Sequence, residues 1–393
     1  MASESPSPAS AFTPQIDAAF GRRDFAGALV LLHRAEADAP NNVALKMQRA
    51  VALRMTGDQP GSLDALSAAL ALDPYNVTAL LAKGAILERL QGEQAAAGVY
   101  RDALKIAPVE PPAGLVAPLA RAREVVERSA LALEHFLFAE LNTATAGGPA
   151  AQARFAESVR IFSGTARPFT SQPLLLHYPR LAAIPFHDRA RFPWFAELEA
   201  HTDIIRGELQ AALGTRQGFA PYIEFPPDAP VNQWGELNHS DRWSAYFLWR
   251  DGARQDAACA ACPQTSALMD RLPLARQPGF APTVVFSALA PHTHIPPHTG
   301  STNTRLLVHL PLILPGPARF RVGNETRDWR MGEAWAFDDT IEHEAWNEAD
   351  QLRVILIIDI WNPDLEPGER ELVSAMLSAR ARFVAGPAGE NAA

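Results

Sequence analysis

The feature that most constrains the fold of this chain is a repeat in its N-terminal third. Pro40, Pro74 and Pro108 recur every 34 residues, the period of a known helical repeat, and each ends a segment with a helical pattern. A proline inside a helix removes a hydrogen bond and breaks the helix, so the helices should end there. The spacing therefore predicts stacked helix pairs over residues 14–110.

Other residues recur with the same register. Ala50 and Gly84 are small residues at matching positions, where paired helices must approach closely, and the turn glycines Gly57 and Gly92 follow one residue off strict register. The segment resembles tetratricopeptide repeats, with a partial first copy beginning near Phe20. Such repeats often bind peptides on a concave face, but they can equally self-associate or stabilise the next domain. Both roles stay open here.

The regions that flank the repeats have other patterns. Residues 1–13 are rich in serine, proline and alanine and predict a disordered tail. Residues 111–167 predict a helical connector, with one helix over 121–141, a break at 143–149 and another helix over 150–162.

The pattern changes again over residues 168–370, where proline is frequent and apolar segments are short. A helix over 193–214 is the last before the strands, and residues 371–393 predict a C-terminal helix and tail. Many short strands separated by turn residues indicate a sandwich or barrel. The predicted strands cover residues 283–289, 305–314, 318–322, 333–337 and 353–361.

Composition excludes several classes of protein. Hydrophobic residues make up 48% and charged residues 20%, as in ordinary globular proteins. The net charge is −9 and no basic cluster is present, so no nucleic-acid partner is expected. We expect neither a secretory signal nor a membrane span, because no apolar segment fits either. Two cysteines, Cys259 and Cys262, are too few for a disulfide framework and lack the context of a redox or zinc motif. We therefore expect a cytoplasmic protein in which these cysteines are structural.

Histidines are concentrated in the strand-rich region, which favours a metal site. Non-haem Fe(II) oxygenases hold iron with two histidines and a carboxylate, and the carboxylate usually stands two residues after the first histidine. Here His298 is followed by Gly300 at that position, and Arg353 lies on a predicted strand where it could bind a carboxylate bidentately. Five of the eleven histidines lie between residues 287 and 364: His292, His294, His298, His309 and His343.

The glycine at position 300 belongs to a set of motifs that resembles the aspartyl/asparaginyl β-hydroxylases. The motifs occur in the order and spacing of that family across the predicted barrel. They are PHTGSTNTRL at 297–306, HL at 309–310, GNETRDW at 323–329, FDD at 337–339, EHEAW at 342–346 and DIWNP at 359–363.

The resemblance implies an α+β multidomain protein in which the repeats precede a double-stranded β-helix, or jelly roll. It also implies an Fe(II)- and 2-oxoglutarate-dependent dioxygenase that converts 2-oxoglutarate to succinate while it hydroxylates its substrate. In that family two histidines bind the iron, with water in place of the carboxylate. By position, His298 and His343 would be the iron ligands, Arg353 and Ser287 would hold the distal carboxylate of 2-oxoglutarate, and His309 would lie near its metal-bound end.

The substrate depends on a departure from the animal enzymes. These have a second arginine two residues after the one that matches Arg305, where this chain has Leu307. Arg305 is kept as a candidate substrate-binding residue, but the loss of a bidentate donor changes what the pocket recognises. We expect a peptide or protein side chain as the substrate, docked on the repeats. The alternatives are a lipid or small-molecule hydroxylase of the same family and a non-catalytic scaffold.

Other polar and aromatic residues are predicted to be structural. Asp338 and Asp339 could supply the missing metal carboxylate, but a pair that ends a strand before a turn is predicted to cap or orient the His343 loop. Asp359 on the last strand is predicted to be structural. Residues 238–240 could contact substrate, and His292 and His294 are interpreted as loop residues. Buried tryptophans more often belong to a core than to a cleft, which is the prediction for Trp234, Trp243, Trp249 and Trp329.

Overall fold

A computed structural model describes residues 12–141, 148–215 and 218–385 of the chain. The chain divides into two compact units, one ending at Arg167 and one beginning at Pro168. The first is helical, and the second contains every strand in the described ranges, which confirms the predicted α+β multidomain class. The described residues include no helix that is long and apolar enough to cross a membrane.

The N-terminal unit consists of three helix pairs followed by two longer helices, and consecutive helices pack against each other. The first pair begins earlier than the predicted start near Phe20, since α1 begins at Thr13, and α1 is shorter than the equivalent helices α3 and α5, with nine residues against 13 and 15. The helices are α1 (Thr13–Gly21), α2 (Phe25–Asp38), α3 (Val43–Met55), α4 (Gln59–Leu72), α5 (Val77–Gln91), α6 (Glu93–Lys105), α7 (Ala113–Leu141) and α8 (Pro149–Ser163).

Side-chain caps at equivalent positions begin the helices of the repeats. Asp24 and Asp58 accept a hydrogen bond from a backbone N–H in the first turn of α2 and α4. Asn42 and Asn76 cap α3 and α5 in the same way. Each cap satisfies one of the backbone donors that a helix start leaves unpaired. The repeat is therefore visible in the capping residues as well as in the prolines.

Close helix packing explains the small residue at Gly84. A methyl group added there would lie 2.4 Å from the ring of Tyr100 on the next helix, too close for any larger residue without movement. At the matching position, the carbonyl of Ala50 accepts a hydrogen bond of 2.7 Å from the buried Ser62 hydroxyl. The predicted close approach at both positions is confirmed.

The connector differs from its prediction at one end. Helix α7 begins at Ala113, not at residue 121, and it contains Pro118. A proline in the second turn removes only one intrahelical hydrogen bond, that to the carbonyl of Gly114. Of the break predicted over 143–149, only residues 148 and 149 are among the described ones, and the predicted N-terminal tail lies outside them up to residue 11.

The C-terminal unit combines five helices with eleven strands among its described residues. Its helices are α9 (Phe195–Ala200), α10 (Thr202–Thr215), α11 (Asp256–Ala261), α12 (Pro263–Arg271) and α13 (Pro367–Ala385). Its strands are β1 (Ala220–Pro221), β2 (Trp243–Arg250), β3 (Ala253–Arg254), β4 (Val284–Leu289), β5 (Thr293–His298), β6 (Arg305–Ile313), β7 (Ala318–Val322), β8 (Glu325–Asp328), β9 (Trp335–Phe337), β10 (His343–Asn347) and β11 (Arg353–Trp361).

The strands form two antiparallel sheets that face each other. The larger sheet has the order β1-β2-β4-β11-β6-β9, with β3 paired to β2, and the smaller has the order β5-β10-β7-β8. Val285 and Ile355 of the larger sheet share a buried cluster with Phe320 and Ala345 of the smaller sheet. This arrangement is that of the predicted double-stranded β-helix.

Alternation along β6 shows how the larger sheet divides its side chains between its two faces. Leu306, Val308 and Leu310 pack with helices α9, α10 and α12 in one core cluster. Leu307 and His309 point to the opposite face, into the space between the sheets. Successive residues of a strand face opposite sides of the sheet. The packing of Leu306, Val308 and Leu310 on the helices therefore also determines that the alternate side chains point into the space between the sheets.

The secondary-structure prediction was wrong in two respects. The helix predicted over 193–214 is two helices, α9 and α10, and α11 and α12 follow before the main run of strands. Strands β1, β2, β3, β5, β8 and β10 were not predicted. Strand β5 contains Pro296 and Pro297, and β10 is short and partly polar, so neither has the apolar run of a typical strand.

Candidate active site

A cavity of about 210 Å³ lies between the two sheets of the C-terminal unit. Side chains from both sheets form its wall, and most of them are apolar. The fold therefore brings together residues that are far apart in the sequence. The wall includes these residues of the predicted site: Ser287, His298, His309, His343 and Arg353.

Two histidines face each other across neighbouring strands. His298 ends β5 and His343 begins β10, the two residues are paired in register, and their ring centroids are 4.1 Å apart. The Nδ1 atom of His298 lies 2.8 Å from the carbonyl oxygen of Pro296, and that of His343 lies 3.0 Å from the carbonyl oxygen of Ile341. When Nδ1 donates its proton to a carbonyl, Nε2 keeps a lone pair that can bind a metal.

Burial keeps both imidazoles neutral. It lowers the pKa of His298 to about 4. The pKa of His343 lies well below its ordinary value for the same reason, and the neighbouring His298 lowers it further. Because a metal binds the neutral form of histidine, this pair is ready to act as two ligands at pH 7.

Arg353 is a buried cation that lacks a counter-ion. Its side chain is only 1% exposed, and Nε and Nη1 have no hydrogen-bond partner among the described residues. Burial lowers its pKa to about 9, so it is still protonated at pH 7. An unpaired buried charge destabilises a fold by several kcal/mol, so its presence in a cavity wall indicates a site for an anionic ligand.

Ser287 and His309 lie on the strands that flank β11 on either side. The Ser287 hydroxyl accepts a hydrogen bond of 3.0 Å from Nε1 of Trp243, which leaves its own proton free for a ligand. In the described part of the chain Nδ1 of His309 has no partner, and burial together with the charge of Arg353 holds the pKa of this histidine well below its ordinary value. The larger sheet thus presents one cation, Arg353, and two neutral polar groups, Ser287 and His309, to the cavity.

Asp339 reaches the cavity wall, contrary to the prediction that it only shapes a turn. A methyl group added at Gly300 would lie 1.8 Å from a carboxylate oxygen of Asp339, so this carboxylate fills the space of a side chain at position 300. Burial and the charge of Asp338 raise the pKa of Asp339 well above its usual range. The sequence has no carboxylate at position 300, two residues after His298. The carboxylate of Asp339, which comes from a different segment, occupies that space instead. The described residues contain no cluster of three or more metal-binding side chains of the His, Cys, Asp or Glu type.

The neighbouring Asp338 has the predicted turn function. Its carboxylate accepts hydrogen bonds from the backbone N–H and the hydroxyl of Thr340, at 3.0 and 2.5 Å. The prediction for the pair is thus confirmed for Asp338 and corrected for Asp339. The signal that could have revealed Asp339 was Gly300 itself, since an absent side chain leaves room for another.

Arg305 lies on the same face of β6 as Leu307 and His309, but it is not part of the described cavity wall. Its Nη1 donates to a carboxylate oxygen of Asp359 at 2.9 Å and to the carbonyl oxygen of Phe280 at 2.7 Å. Asp359 also accepts a hydrogen bond of 2.8 Å from the backbone of Thr283, which confirms its structural function. The substrate-binding function of Arg305 stays a prediction.

Three of the four tryptophans predicted to belong to a core also line the cavity. Trp243 and Trp329 are buried in the core cluster between the sheets, Trp234 packs against it, and all three are part of the cavity wall. Trp249 packs in the core beside the helices. The ring of Trp234 packs edge-on against His298, with the ring centroids 5.0 Å apart. Tryptophans on the inner face of a jelly roll are buried and still border the ligand space, so burial alone does not separate the two roles.

Other candidate residues have structural roles. Asn238 and His239 hold the loop before β2 through hydrogen bonds of 2.8 and 2.7 Å to the backbone of Phe225. His294 lies on strand β5, not in a loop, and pairs with Glu344 on the outer side of the smaller sheet.

The cysteines are structural, as predicted. Cys259 and Cys262 are free thiols, and both are buried in the core beside the helices. The thiol of Cys259 donates to the carbonyl oxygen of Leu248 at 3.3 Å. Burial raises the pKa of Cys262 to about 12, which keeps its thiol protonated and unreactive.

Comparison with known proteins agrees with this arrangement. The family model described as aspartyl/asparaginyl beta-hydroxylase matches residues 199–363. An ornithine lipid ester-linked acyl 2-hydroxylase from Rhizobium tropici is 33% identical over 222 residues, which are 56% of this chain and 72% of that protein. The aspartyl/asparaginyl beta-hydroxylase of Homo sapiens is 34% identical over 180 residues, which are 46% of this chain and 22% of the human protein.

Among solved structures, the chain resembles the Sgt2 tetratricopeptide repeat domain from Aspergillus fumigatus at 19% identity, with a TM-score of 0.29, over 33% of this chain and 85% of that one. The fold of the repeats rests on their own helices and caps. For the C-terminal unit, the family motifs, the matching family model and a relative matched over 72% of its length agree. The chain belongs to the aspartyl/asparaginyl β-hydroxylase family.

Proposed function

We propose that this chain is an Fe(II)- and 2-oxoglutarate-dependent hydroxylase. One observation carries the proposal: a buried guanidinium without a counter-ion and two neutral imidazoles line the same cavity. The two imidazoles can bind a metal ion. A dicarboxylate that chelates this metal through one end can pair with the guanidinium through its other carboxylate. The family to which the chain belongs supports hydroxylation as the reaction.

The two histidines fit an iron site with open positions. Nε2 of His298 and Nε2 of His343 would bind the metal, because both Nδ1 atoms point to backbone carbonyl oxygens. Two protein ligands leave room for a bidentate cosubstrate and for oxygen. Asp339, whose carboxylate lies where a third ligand would follow His298, would border the metal and accept hydrogen bonds there.

Arg353 and Ser287 fit the distal carboxylate of 2-oxoglutarate. The guanidinium has two unpaired N–H donors among the described atoms, and the Ser287 hydroxyl has a free proton. Charge-assisted hydrogen bonds are about twice as strong as neutral ones, and a buried site strengthens them further. His309 lies on the next strand of the same sheet and would lie near the metal-bound end of the molecule.

With iron and 2-oxoglutarate bound, oxygen would be reduced while 2-oxoglutarate becomes succinate and carbon dioxide and one C–H bond of the substrate becomes C–OH. The chain contributes position and exclusion of water. Leu307, Ile355 and Ile357 form an apolar wall of the cavity, so little water can enter beside the reacting groups. The buried histidines keep their lone pairs available because protonation of either would place an unsolvated charge in this wall.

The first candidate substrate is the side chain of a peptide or protein. The helix pairs of the N-terminal unit support this choice, since stacked helical repeats provide extended surfaces that bind peptides. We propose that these repeats dock the substrate or a protein that carries it. The proposal needs no membrane anchor and no nucleic acid.

The second candidate is the acyl chain of a lipid, and a specific observation favours it. Leu307 stands on the cavity wall where the animal enzymes have an arginine, so the wall lacks a second cation that would recognise an acidic side chain. The relative from Rhizobium tropici is named for the hydroxylation of an ester-linked acyl chain. An apolar wall suits such a chain.

Succinate formation tests the reaction. The full chain with Fe(II), oxygen and 2-oxoglutarate should form succinate, and His298→Ala and His343→Ala should reduce the rate to the level without enzyme. His292→Ala is the matched control, because this exposed histidine pairs with Asp350 outside the cavity. A rate equal in all four proteins would contradict the proposal and favour a non-catalytic scaffold.

A substrate panel separates the two candidates. Peptides with aspartate or asparagine and lipids with ester-linked acyl chains are each incubated with enzyme, and mass spectrometry records a gain of one oxygen atom. Leu307→Arg should lower turnover of an acyl chain and raise turnover of an acidic peptide. The opposite pattern would contradict the assignment of Leu307 to substrate choice.

A further inference from the structure

An aromatic ring takes the place of a counter-ion beside Arg353. The guanidinium carbon lies 4.5 Å from the ring centroid of Trp329, over its face. Trp329 follows β8 in the smaller sheet, whereas Arg353 begins β11 in the larger one, so the contact joins the two sheets. A cation over an indole face is stabilised by roughly 0.5–2 kcal/mol, most when water is excluded.

Stacking holds the Trp329 ring in its orientation. The ring of Phe320 lies 5.4 Å away at an interplanar angle of 29°, and that of Trp335 lies 6.0 Å away at 17°. Within the described residues, Nε1 of Trp329 has no hydrogen-bond partner. The indole is therefore positioned by the faces of its neighbours and not by a polar contact.

The other groups near Arg353 cannot replace this support. His309 is neutral because burial and the guanidinium lower its pKa, so it brings no negative charge. The Arg353 side chain is 1% exposed, so water does not solvate it freely. The Trp329 face is thus the contact that stabilises the cation and sets its plane before an anion binds.

We propose that Trp329 is a positioning residue that holds the Arg353 guanidinium ready for the distal carboxylate of the cosubstrate. This inference rests on the proposed function, because it assumes that 2-oxoglutarate binds in the cavity. Pre-positioning removes the need to order a long side chain when the ligand arrives, and this contributes to affinity. The effect should therefore appear only for ligands that carry a distal carboxylate.

Two ligands and three variants test the proposal on the full chain loaded with Zn(II), which binds without turnover. Calorimetry measures the Kd of 2-oxoglutarate and that of oxalate, which has the metal-binding half but no distal carboxylate. Trp329→Leu should raise the Kd of 2-oxoglutarate about tenfold, the loss of roughly 1.4 kcal/mol, and change that of oxalate less than about twofold. Trp329→Phe keeps an aromatic face and should raise the Kd of 2-oxoglutarate about threefold.

Trp249→Leu is the matched control, since Trp249 is similarly buried, at 4% exposure against 6% for Trp329, and also has an arginine, Arg254, over its ring, but lies in the core beside the helices. It should leave both Kd values unchanged. An equal loss of both ligands in Trp329→Leu, an unchanged Kd for 2-oxoglutarate, or the same selective loss in Trp249→Leu would overturn the positioning function. If Trp329→Leu does not fold, Trp329→Phe decides by the same comparison. Wild-type protein that binds neither ligand would contradict the proposed function, and this inference with it.

Discussion

The two units of this chain are stabilised in different ways. In the N-terminal unit each helix packs against the next one in the sequence. Asp24 and Asp58 cap their helices in the same way, since each accepts a hydrogen bond from the backbone N–H three residues later. In the C-terminal unit β11 pairs with β4 and β6, so that Ile355 lies between Ser287 and Pro311. The first unit is built from local contacts, and the second depends on long-range register.

The difference extends to buried polar groups. In the repeats, the capping side chains of Asp24 and Asp58 lie at the surface and satisfy backbone donors there. The buried side-chain atoms without a partner in the described repeats are single oxygens of Glu36 and Gln59, and neither is a buried cation. In the β-sheet unit, the cavity contains an unpaired guanidinium at Arg353, an unpaired Nδ1 at His309 and a carboxyl group at Asp339 with a raised pKa, all in the described wall. Such groups oppose stability, which is expected where a fold serves binding and catalysis. The comparison predicts that mutations in the cavity change ligand binding and stability in different directions, whereas mutations in the core of the repeats change stability and leave the cosubstrate site unchanged.

The largest expected effect is the loss of the metal. His298→Ala or His343→Ala should weaken Fe(II) binding by at least about 100-fold, because each leaves only one of the two imidazoles. Thermal unfolding of the repeats should not change. Metal titration and calorimetric melting measure the two effects, with His292→Ala as the control. Full metal binding by both variants would place the iron elsewhere.

The next largest effect is expected at Arg353, where one substitution should weaken cosubstrate binding and stabilise the protein. Arg353→Leu should raise the Kd of 2-oxoglutarate about 100-fold, roughly 2.7 kcal/mol, because a charge-assisted contact is lost. It should also raise the free energy of unfolding of the ligand-free protein by about 1–2 kcal/mol, since a buried unpaired charge is removed. Binding calorimetry and urea unfolding give the two values.

Arg319→Leu is the control for that variant, because Arg319 is exposed on β7, where it pairs with the surface carboxylate of Glu348 and lies over the ring of Trp346, outside the cavity. It should change the free energy of unfolding by less than about 0.5 kcal/mol and leave the affinity unchanged. If Arg353→Leu destabilises the protein as well as weakening binding, the guanidinium is a structural group and the contrast between the units fails.

Paired glycine variants test the repeats in the same way. Gly84→Ala should lower the free energy of unfolding of the helical unit by about 1–3 kcal/mol, because the new methyl group would lie 2.4 Å from the Tyr100 ring. Gly98→Ala, in the next helix, meets no atom within 4 Å in the described part of the chain and should stabilise it by about 0.5–1 kcal/mol. Urea unfolding measures both. The Kd of 2-oxoglutarate should be the same in both variants, and a change in either would show that the repeats contribute to the cosubstrate site.

The last expected effect depends on pH. His187 is buried without a hydrogen-bond partner among the described residues, and burial lowers its pKa from 6.5 to about 4. The unfolded chain then binds more protons than the folded one between these values, so stability falls as the pH drops from 6.5 towards 4.

His187→Leu removes this contribution. Between pH 8 and pH 5 the variant should lose about 2 kcal/mol less free energy of unfolding than wild type. Urea unfolding at the two pH values measures the difference. Parallel losses in both proteins would show that His187 is solvated in the folded state.

The parts of the fold that depend on local sequence were predictable. The 34-residue period, recurring prolines and small residues predicted the repeats, because each repeat is a short-range unit. Strands β4, β6 and β11 are mainly apolar, β7 alternates apolar residues with arginines, and all four were predicted to within one residue at each end. Strands β5 and β10, which carry the two histidines, were missed because Pro296, Pro297 and polar residues interrupt the usual pattern.

The site was only partly predictable. The family resemblance implied Ser287, His298, His309, His343 and Arg353, and the fold brings them to one cavity. Gly300 indicated room for another side chain, but which residue fills that room depends on how the sheets close, and so does the contact of Trp329 with Arg353. The domain boundaries in residues, the cytoplasmic location and the individual roles of the site residues stay predictions.

The most direct test of the central claim is a crystal structure of the full chain grown without oxygen in Fe(II) and 2-oxoglutarate, with anomalous data collected at the iron edge. We predict one anomalous peak about 2.1 Å from Nε2 of both His298 and His343, with the distal carboxylate of 2-oxoglutarate at Arg353. No peak between the two imidazoles, or a ligand that leaves Arg353 unpaired, would contradict the account.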